Sequence, residues 1–523
     1  MYTSSNSYLT NIATDNDKIG AYENWTLRTG IKVDFTDRIS VLFRYTHEKV
    51  GDPTNVTGNV YVENGVPQAL GTIIPGAIVP TRPNDVALPA GEQPILLAKN
   101  DIYQLTATFD LDFATLKSYS QYRQDVSSTY ISLGDVSVPT VFINFYVPDR
   151  TVTQEFLLSS KPGGPLQWTT GAFYLDYSDP IPIRGSIFGA PYASEGYTSA
   201  EVRSLAGFAD ATYEVIDRLY LSAGVRYSHE ETVNALWDDP GAPVTHVPDL
   251  TSNPVTPRAV ARYALDDNSN VYASFARGFK APIYNLGGRS TVPIQAETLS
   301  AFEVGYKRAV RNLSFDGSVF YYDYKNLQVM SQATVDGRPA TVISNAAKSR
   351  IWGLEGQVQY LITPDFEVNL GAAYTDPIYT SYPAAPAYQQ CLVPACGASF
   401  GTFNNITVDA SGNQMERAPK ITSTLDLKYT MGLPAGKLAL SSDFYYSSRV
   451  YFDPADQFSQ GAYETLGVRA EWTDPSERFS VALYGDNVTN KRYITQVLGA
   501  ATAINAYWNA PATVGVSLRA KFK

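Results

Sequence analysis

The stretch LYLSAGVRY, residues 219–227, alternates between apolar residues and polar or small ones. Successive side chains of a β-strand point to opposite faces, so this period of two predicts a strand with one apolar and one polar face. A shift of one residue would move Arg226 onto the apolar face, so the alternation also fixes the register of the strand. The same pattern returns near residues 312–319, 366–374 and 421–429.

The composition favours a membrane barrel over a soluble β-protein. Aromatic residues make up 13% of the chain and charged residues only 17%. We find no run of about 18 apolar residues, the length that a transmembrane helix needs. In a soluble sandwich the apolar faces would meet each other, whereas in a large barrel they meet lipid and the polar faces line the lumen.

The spacing of the strands supports the barrel, because short and long connections alternate along the chain. Short links are expected near residues 36, 112, 163, 216, 267, 310, 363, 433 and 474. Long links are expected at about 51–100, 126–147, 179–199, 232–253, 278–295, 327–347, 377–416, 450–461 and 488–510. Membrane barrels have short periplasmic turns and long external loops, and the blade repeat of a propeller is not found.

The strand count predicts an incomplete barrel. The pattern gives about 19 antiparallel strands, from about 24–35 to about 511–522, and both end strands run toward the periplasm. Bacterial barrels have an even number of strands, so an odd number is expected to be missing at the front. Three further strands would give about 22, the size of the plugged outer-membrane transporters.

Four segments resemble the barrel domain of TonB-dependent receptors over about residues 25–523. They are FARGFKAP at 275–282, Glu297 with EVGYK at 303–307, NVTNKRY at 487–493, and PATVGVSL at 511–518 with Phe522. The family ends on an aromatic residue, whereas Lys523 follows Phe522 here. The family also begins with a signal peptide, a TonB-contacting segment and a plug domain, which residues 1–523 do not resemble.

The resemblance implies a monomeric barrel in the outer membrane of a Gram-negative cell. Its ligand would be a bulky scarce nutrient, first a ferric siderophore, with cobalamin or plant oligosaccharides as alternatives. The TonB complex would act through the N-terminal region, so we expect residues 1–523 alone neither to insert stably nor to bind ligand. We also expect the reading frame to extend upstream through a signal peptide, a plug and about three strands.

Three alternatives stay open at this point. A passive porin would have about 16–18 strands. A soluble adhesin or enzyme would partition into water without detergent. An oligosaccharide-uptake receptor would share the fold that is predicted here.

Basic and aromatic residues near the strand ends are the candidate site. Arg277 and Lys280 form a possible ligand-facing rim, or belong to the barrel framework. Six tyrosines suggest an aromatic girdle or a ligand-facing wall: Tyr321, Tyr322, Tyr324, Tyr445, Tyr446 and Tyr451. Alternation points four cations into the lumen, for a plug or for water: Arg226, Arg262, Lys307 and Lys428.

Other chemistries find little support in the sequence. The net charge of −11 argues against nucleic acid. His47, His229 and His246 are far apart and His229 does not begin an HExxH motif, so no metal site is predicted. Neither an enzyme nor a cofactor is expected. Cys391 and Cys396 are predicted to form a disulfide in an external loop.

Overall fold

The computed structural model is almost entirely β-structure. It describes residues 1–69, 74–92, 94–187, 190–191, 196–239, 241–335, 338–391, 403–500 and 502–521. Its one helical turn in these residues is the 3-10 turn Pro53–Val56. Within the described ranges, no helix has the length and apolar character needed to cross a membrane.

The wall of the fold is one antiparallel sheet, in which the described residues form 19 strands of eight residues or more. These are β1 (Tyr22–Thr36), β2 (Ile39–Gly51), β3 (Ile95–Asp110), β4 (Ala114–Ser132), β5 (Val141–Ser160), β6 (Leu166–Ser178), β7 (Gly196–Ile216), β8 (Leu219–Asp238), β9 (Val255–Asp266) and β10 (Ser269–Lys280). The second half comprises β11 (Glu297–Val310), β12 (Leu313–Val335), β13 (Arg338–Thr363), β14 (Phe366–Ser381), β15 (Ile421–Leu433), β16 (Gly436–Ser447), β17 (Tyr463–Thr473), β18 (Phe479–Asp486) and β19 (Thr513–Ala520).

Each long strand pairs with its neighbours in the chain, so the sheet is a meander from β1 to β19. Five short segments complete the 24-stranded sheet: Tyr2–Ser5, Ile181–Ile187, Ala190–Pro191, Thr245–His246 and Leu250–Ser252. The predicted all-β antiparallel architecture of about 19 long strands is confirmed. Phe522 lies outside the described residues.

The links between strands alternate between tight turns and long loops, as predicted. At one end β1 and β2 are separated by residues 37–38 alone, and β8 and β9 connect to their partners by similarly tight turns. In the turn before β18, the carboxylate of Asp474 accepts hydrogen bonds from the backbone N–H groups of Arg478 and Phe479 at 2.8 and 2.7 Å. Two loop predictions are wrong. Residues 327–347 continue the β12–β13 ladder out to Val335↔Arg338, and most of 126–147 continues the β4–β5 ladder out to Ser132↔Phe142.

The two faces of the wall differ as the alternation predicts. On β8, Leu221 and Val225 are 44% and 49% exposed, whereas Ser228 is only 5% exposed. The exposed face carries large apolar side chains along the whole sheet, and the other face carries polar groups around a cavity. The apolar face is therefore the outer surface and the polar face lines the lumen.

The edge strands of the sheet are the least covered part of the wall. In the order of the sheet β19 is followed by β1. Among the described residues, however, the register pairs β19 with β18 alone, and β1 with β2 and with Tyr2–Ser5 at its loop end. Residues 27–36 of β1 are exposed on both faces. The expectation that further strands complete the barrel stays a prediction.

The buried core lies in the long loops and at the loop ends of the wall strands. One cluster joins Phe403, Phe458, Val497 and Ile504 from three loops. Two more clusters, around Val60 and around Leu133, reach the loop after β18 through Ala503 and Ala500 respectively. We call these packed loop residues, within 52–94, 133–140, 403–420, 448–462 and 487–512, the loop crown.

The outward and inward faces of β8 give a direct test of the barrel. We expect Leu221→Arg to block assembly of the receptor that contains this barrel, because a cation at mid-bilayer on the lipid face costs about 2–4 kcal/mol. Ser222→Arg, one residue away on the lumenal face, is expected to assemble nearly normally. Yield of heat-modifiable protein in the outer membrane measures both, and equal yields would contradict the assignment of faces.

Candidate ligand site between lumen and loop crown

A polar cavity of about 550 Å³ opens on the lumenal face of β10 to β16. Its lining alternates with the lipid-facing residues of the same strands, so the wall alone positions every side chain in it. The polar and charged members of the lining are Tyr272, Glu303, Lys307, Asp316, Glu355, Gln357, Thr422, Ser423, Thr424 and Tyr445. Gly371, on the lumenal face of β14, has no side chain to fill the cavity.

Ion pairs and hydrogen bonds hold the cavity wall in place. The Tyr272 hydroxyl donates to Glu303 Oε1 at 2.6 Å, and Lys307 Nζ lies 2.7 Å from Asp316 Oδ2. The Lys307 ammonium also lies 5.4 Å from the centroid of the Tyr272 ring. Three carboxylates face one lysine in this lining, so the cavity favours cationic or hydrogen-bond-donating groups.

Three tyrosines form a ladder at the crown end of the same wall. Tyr445 on β16 lies 6.0 Å from Tyr463 on β17, centroid to centroid. Tyr463 stacks face to face on Tyr493 at 3.9 Å. Since Tyr445 also lines the cavity, the ladder leads from the cavity toward the loops. Flat aromatic faces and hydroxyl donors make it suitable for stacking with an aromatic ligand.

The loop crown roofs this ladder. Ile494 follows Tyr493 directly and packs against the cluster of Phe403, Phe458 and Ile504. The backbone N–H of Tyr493 donates to Asn509 Oδ1 at 2.9 Å, and that of Ile494 donates to Gln460 Oε1 at 2.8 Å. A ligand on the ladder would therefore touch loops that belong to one packed unit.

Distant loops are joined by polar contacts as well. Trp508 Nε1 donates to Asn59 Oδ1 at 2.9 Å, and Thr502 Oγ1 donates to the carbonyl of Leu133 at 2.8 Å. The backbone N–H of Tyr61 donates to the carbonyl of Ile504 at 2.8 Å. These contacts connect the loop before β3 and the loop before β5 to the loop before β19. They bridge the sheet edges at the crown end.

Partly buried acids occur in the crown where the loop before β15 meets the loop before β17. Burial raises the pKa of Glu416 to about 7, with Asp453 raising it further and Arg417 opposing the shift. Burial likewise raises the pKa of Asp456 to about 6. The Asn413 amide donates to the Pro454 carbonyl at 3.0 Å, which holds the two loops together. Protonation of these acids therefore favours the packed crown.

The structure places the two predicted rim residues on opposite faces. Arg277 shares the outer face with Val271, and Phe275 on that face lies 5.1 Å from the ring of Phe302. Lys280, three residues on, falls on the lumenal face opposite Glu297. Ligand contact by either residue stays a prediction.

The predicted tyrosines also divide between the faces. Tyr321 is on the outer face opposite Phe302, and alternation places Tyr446 on the same side as Phe444. Tyr445 lines the lumen, and Tyr322 and Tyr324 share the lumenal face by alternation with Tyr321. Tyr451 belongs to the short loop strand Val450–Tyr451. The group is therefore part girdle and part lumenal wall.

The four predicted lumenal cations lie on the polar face. Arg226 sits over the rings of Phe173 and Phe208 at 5.3 and 5.7 Å, and Arg262 lies 4.0 Å from the centroid of Tyr220. Lys307 is in the cavity, and Lys428 is opposite Glu367. The wall itself therefore supplies partners for these cations.

The structure describes only one of the two cysteines of the predicted disulfide. Cys391 is buried and disulfide-bonded. Cys396 lies outside the described residues, so the pairing of the two stays a prediction. Among the described residues, no group of three or more His, Cys, Asp or Glu side chains is arranged to hold a metal ion.

Comparison with known proteins defines the class. Residues 2–488 match the family model described as TonB dependent receptor-like, beta-barrel. The chain therefore belongs to the family of TonB-dependent receptor β-barrels, as the four motifs suggested. Barrels of this family are outer-membrane proteins, and the family consists of receptors and transporters.

The similar proteins include receptors for iron carriers. The chain is 25% identical to the pesticin receptor of Yersinia pestis over 343 residues, which cover 64% of this chain and 46% of that protein. The chain thus spans about half the length of the curated relatives it matches. Among solved structures, the ferric yersiniabactin uptake receptor FyuA from Yersinia pestis is 19% identical with a TM-score of 0.81, covering 100% of this chain and 74% of that one.

A second solved structure has the same fold. The siderophore receptor PiuA from Acinetobacter baumannii is 17% identical with a TM-score of 0.75, and the likeness covers 97% of this chain and 75% of that one. At these identities the two structures establish the fold and not the ligand.

Sequence reasoning missed the tyrosine ladder and the buried acids. Tyr463 and Tyr493 come together only because β17 and the loop after β18 meet at the lumenal wall. The alternation of β17 places Tyr463 on the lumenal face, but no pattern in the sequence indicates where the Tyr493 loop returns. Glu416 and Asp456 lie in loops whose packing depends on distant segments.

The crown acids predict a pH dependence of loop stability. An acid whose pKa is raised by folding stabilises the fold below its unfolded pKa, and this stability is lost as pH rises through the folded pKa. We expect exchange protection of residues 409–415 and 452–460 to fall at least about tenfold between about pH 5 and about pH 8. Hydrogen exchange, corrected for the intrinsic rate, measures it against residues 219–238 of β8 as reference.

Matched variants separate this effect from a general loss of stability. Glu416→Gln should flatten the pH profile, because the amide stays neutral. Glu63→Gln, in the exposed hairpin Val62–Glu63, should leave it unchanged. An unaltered profile in Glu416→Gln would contradict the role of this carboxyl.

Proposed function

We propose that the receptor containing this barrel imports a ferric siderophore across the outer membrane. The tyrosine ladder of Tyr445, Tyr463 and Tyr493, set between a polar lumen and a packed roof of loops, is the observation that carries the proposal. Membership of the TonB-dependent receptor family, and the likeness to receptors for siderophores, support the substrate class. The barrel itself carries out no chemical reaction in this proposal.

The ladder suits the outer parts of a ferric chelate. Tyrosine rings stack on the planar aromatic or heteroaromatic groups that many iron chelators use, and their hydroxyls donate to anionic ligand oxygens. Lys280 on the lumenal face at the end of β10 supplies positive charge near the entrance. The loop crown must open to admit a bulky complex and then close over it.

Transport through the lumen requires energy from another protein. We propose that the TonB complex supplies it through an N-terminal plug in the complete receptor, of which residues 1–523 form the barrel domain. The cavity wall, with three carboxylates and one lysine, offers a surface for basic groups of such a plug. Outer-membrane lipid would surround the apolar face.

Adjacent tyrosines on opposite faces of β16 test the ligand site. We expect Tyr445→Ala to weaken binding of a ferric siderophore by about tenfold, the loss of one aromatic contact worth about 1.4 kcal/mol. Tyr446→Ala, one residue away on the outer face, should bind as the parent does. Equilibrium binding to outer-membrane vesicles measures both, and unchanged affinity in Tyr445→Ala and Tyr463→Ala would exclude the ladder.

Energy coupling separates this function from a porin. Uptake of radiolabelled iron by cells expressing the complete receptor should stop when a protonophore collapses the membrane potential. A passive porin would continue to equilibrate small solutes under the same treatment. Protonophore-insensitive uptake would therefore favour the porin.

A further inference from the structure

Two pairs of lysines face each other across neighbouring strands on the outer surface. Lys49 of β2 is directly opposite Lys99 of β3, and Lys325 of β12 is directly opposite Lys348 of β13. Directly opposed like charges destabilise an antiparallel pair. Both pairs lie on the outward side of the wall, away from the lumen.

The register establishes the outward direction. Lys99 alternates in phase with Leu97, Tyr103 and Leu105, which belong to the exposed apolar face. Lys325 alternates in phase with Val319 and Tyr321, which are on the same face. The side chains of Lys99, Lys325 and Lys348 are themselves exposed.

Each pair lies at the same height above a row of outward aromatic residues. Below the first pair are Tyr45, Tyr103 and Tyr122, whose rings are 5.0 and 6.2 Å apart in succession. Below the second pair are Tyr321 and Trp352, which oppose each other. In both sites each lysine is four residues closer to the loop end of its strand than the aromatic residue of the same strand. At about 3.3 Å per residue this is about 13 Å along the strand.

The aromatic rows mark where hydrocarbon gives way to lipid headgroups. Tyr and Trp collect at this boundary because their rings are apolar and their polar atoms need water or headgroups. Trp25, opposite Lys49, adds an outward aromatic residue at the height of the first lysine pair. Side chains about 13 Å further out therefore lie among the headgroups on the external side.

The carboxylate in the row next to the first lysine pair already has partners. Asp101, in the row between the tyrosines and the lysines, accepts from the Tyr45 hydroxyl at 2.6 Å and contacts His47 Nδ1 at 2.8 Å. Asp323, in the equivalent row of the second site, is opposite Arg350, and Arg350 bonds Asp376 at 3.1 Å. Within the described part of the chain, none of the four lysines forms an ion pair.

We propose that Lys49 with Lys99, and Lys325 with Lys348, are docking sites for the phosphates of an anionic lipid in the external leaflet. A headgroup with two phosphates, as in lipid A, supplies the negative charge that two opposed lysines need. The proposal rests on the outer-membrane location, but not on the identity of the nutrient. Each site combines an aromatic row for the lipid chains with two cations for the headgroup.

Lipid binding is measured by titrating lipid A into the purified complete receptor in neutral detergent and counting bound lipids by native mass spectrometry. Each lysine near a charged membrane surface contributes about a fivefold gain in affinity. The double variant Lys49→Gln/Lys99→Gln should therefore lose roughly 30-fold in affinity at one site, and Lys325→Gln/Lys348→Gln the same at the other. The combined variant, with all four lysines replaced, should retain neither of the two tightly bound lipid A molecules.

The control is Lys32→Gln/Lys437→Gln, which makes the same change in net charge near the turn end of the barrel, where these lysines pair with Asp34 and Glu477. Dephosphorylated lipid A and inorganic phosphate should bind no better to the parent than to the variants. Equal lipid A affinity in the parent and the combined variant would overturn the inference. Failure of the unmodified receptor to bind a ferric siderophore would count against the proposed function and leave this inference standing.

Discussion

The structure depends on one constraint, which is that backbone hydrogen bonds within a membrane must be made by the protein itself. A strand in hydrocarbon needs a partner on each side, because each unpaired N–H or C=O group costs several kcal/mol there. The meander from β1 to β19 meets this need with sequential antiparallel pairing. The register of the described residues gives one long partner strand each to β1 and β19, and residues 27–36 of β1 and the strand β19 are the most exposed part of the wall.

The part of the wall between the turns and the loop ends has little core of its own. Its side chains face either lipid or the lumen, so tight packing is found mainly in the loops, where Ile504, Ala503 and Ala410 are completely buried. The rigid wall and the packed crown meet at Tyr463 and Tyr493, which makes this junction suitable for a ligand that must be held and then released. The outward lysine pairs belong to the wall alone and concern its contact with lipid.

The sequence alone predicted what depends on local alternation. The faces of Leu221 and Ser222, the tight turns and the number of long strands all follow from a period of two and from turn residues. The opposite faces of Arg277 and Lys280 follow from the same rule, because an odd spacing along a strand changes face.

The remaining features depend on register between strands or on long-range packing. Lys325 and Lys348 oppose each other only because β12 and β13 pair in one register out to Val335. The sequence pattern predicts a loop at residues 327–347, where the structure has this pairing instead. The neighbours of Glu416 and Tyr493 come from loops tens of residues away, and no periodicity encodes those contacts.

The central claim is that alternate residues of one strand face lipid and lumen. Spin labels placed singly at 219–228 of β8, with both cysteines replaced by serine, test it by collision with oxygen and with a water-soluble nickel chelate. The account predicts a period of two, with oxygen favoured at 221, 223, 225 and 227 and nickel favoured between them. A uniform profile along the strand, or the opposite phase, would contradict it.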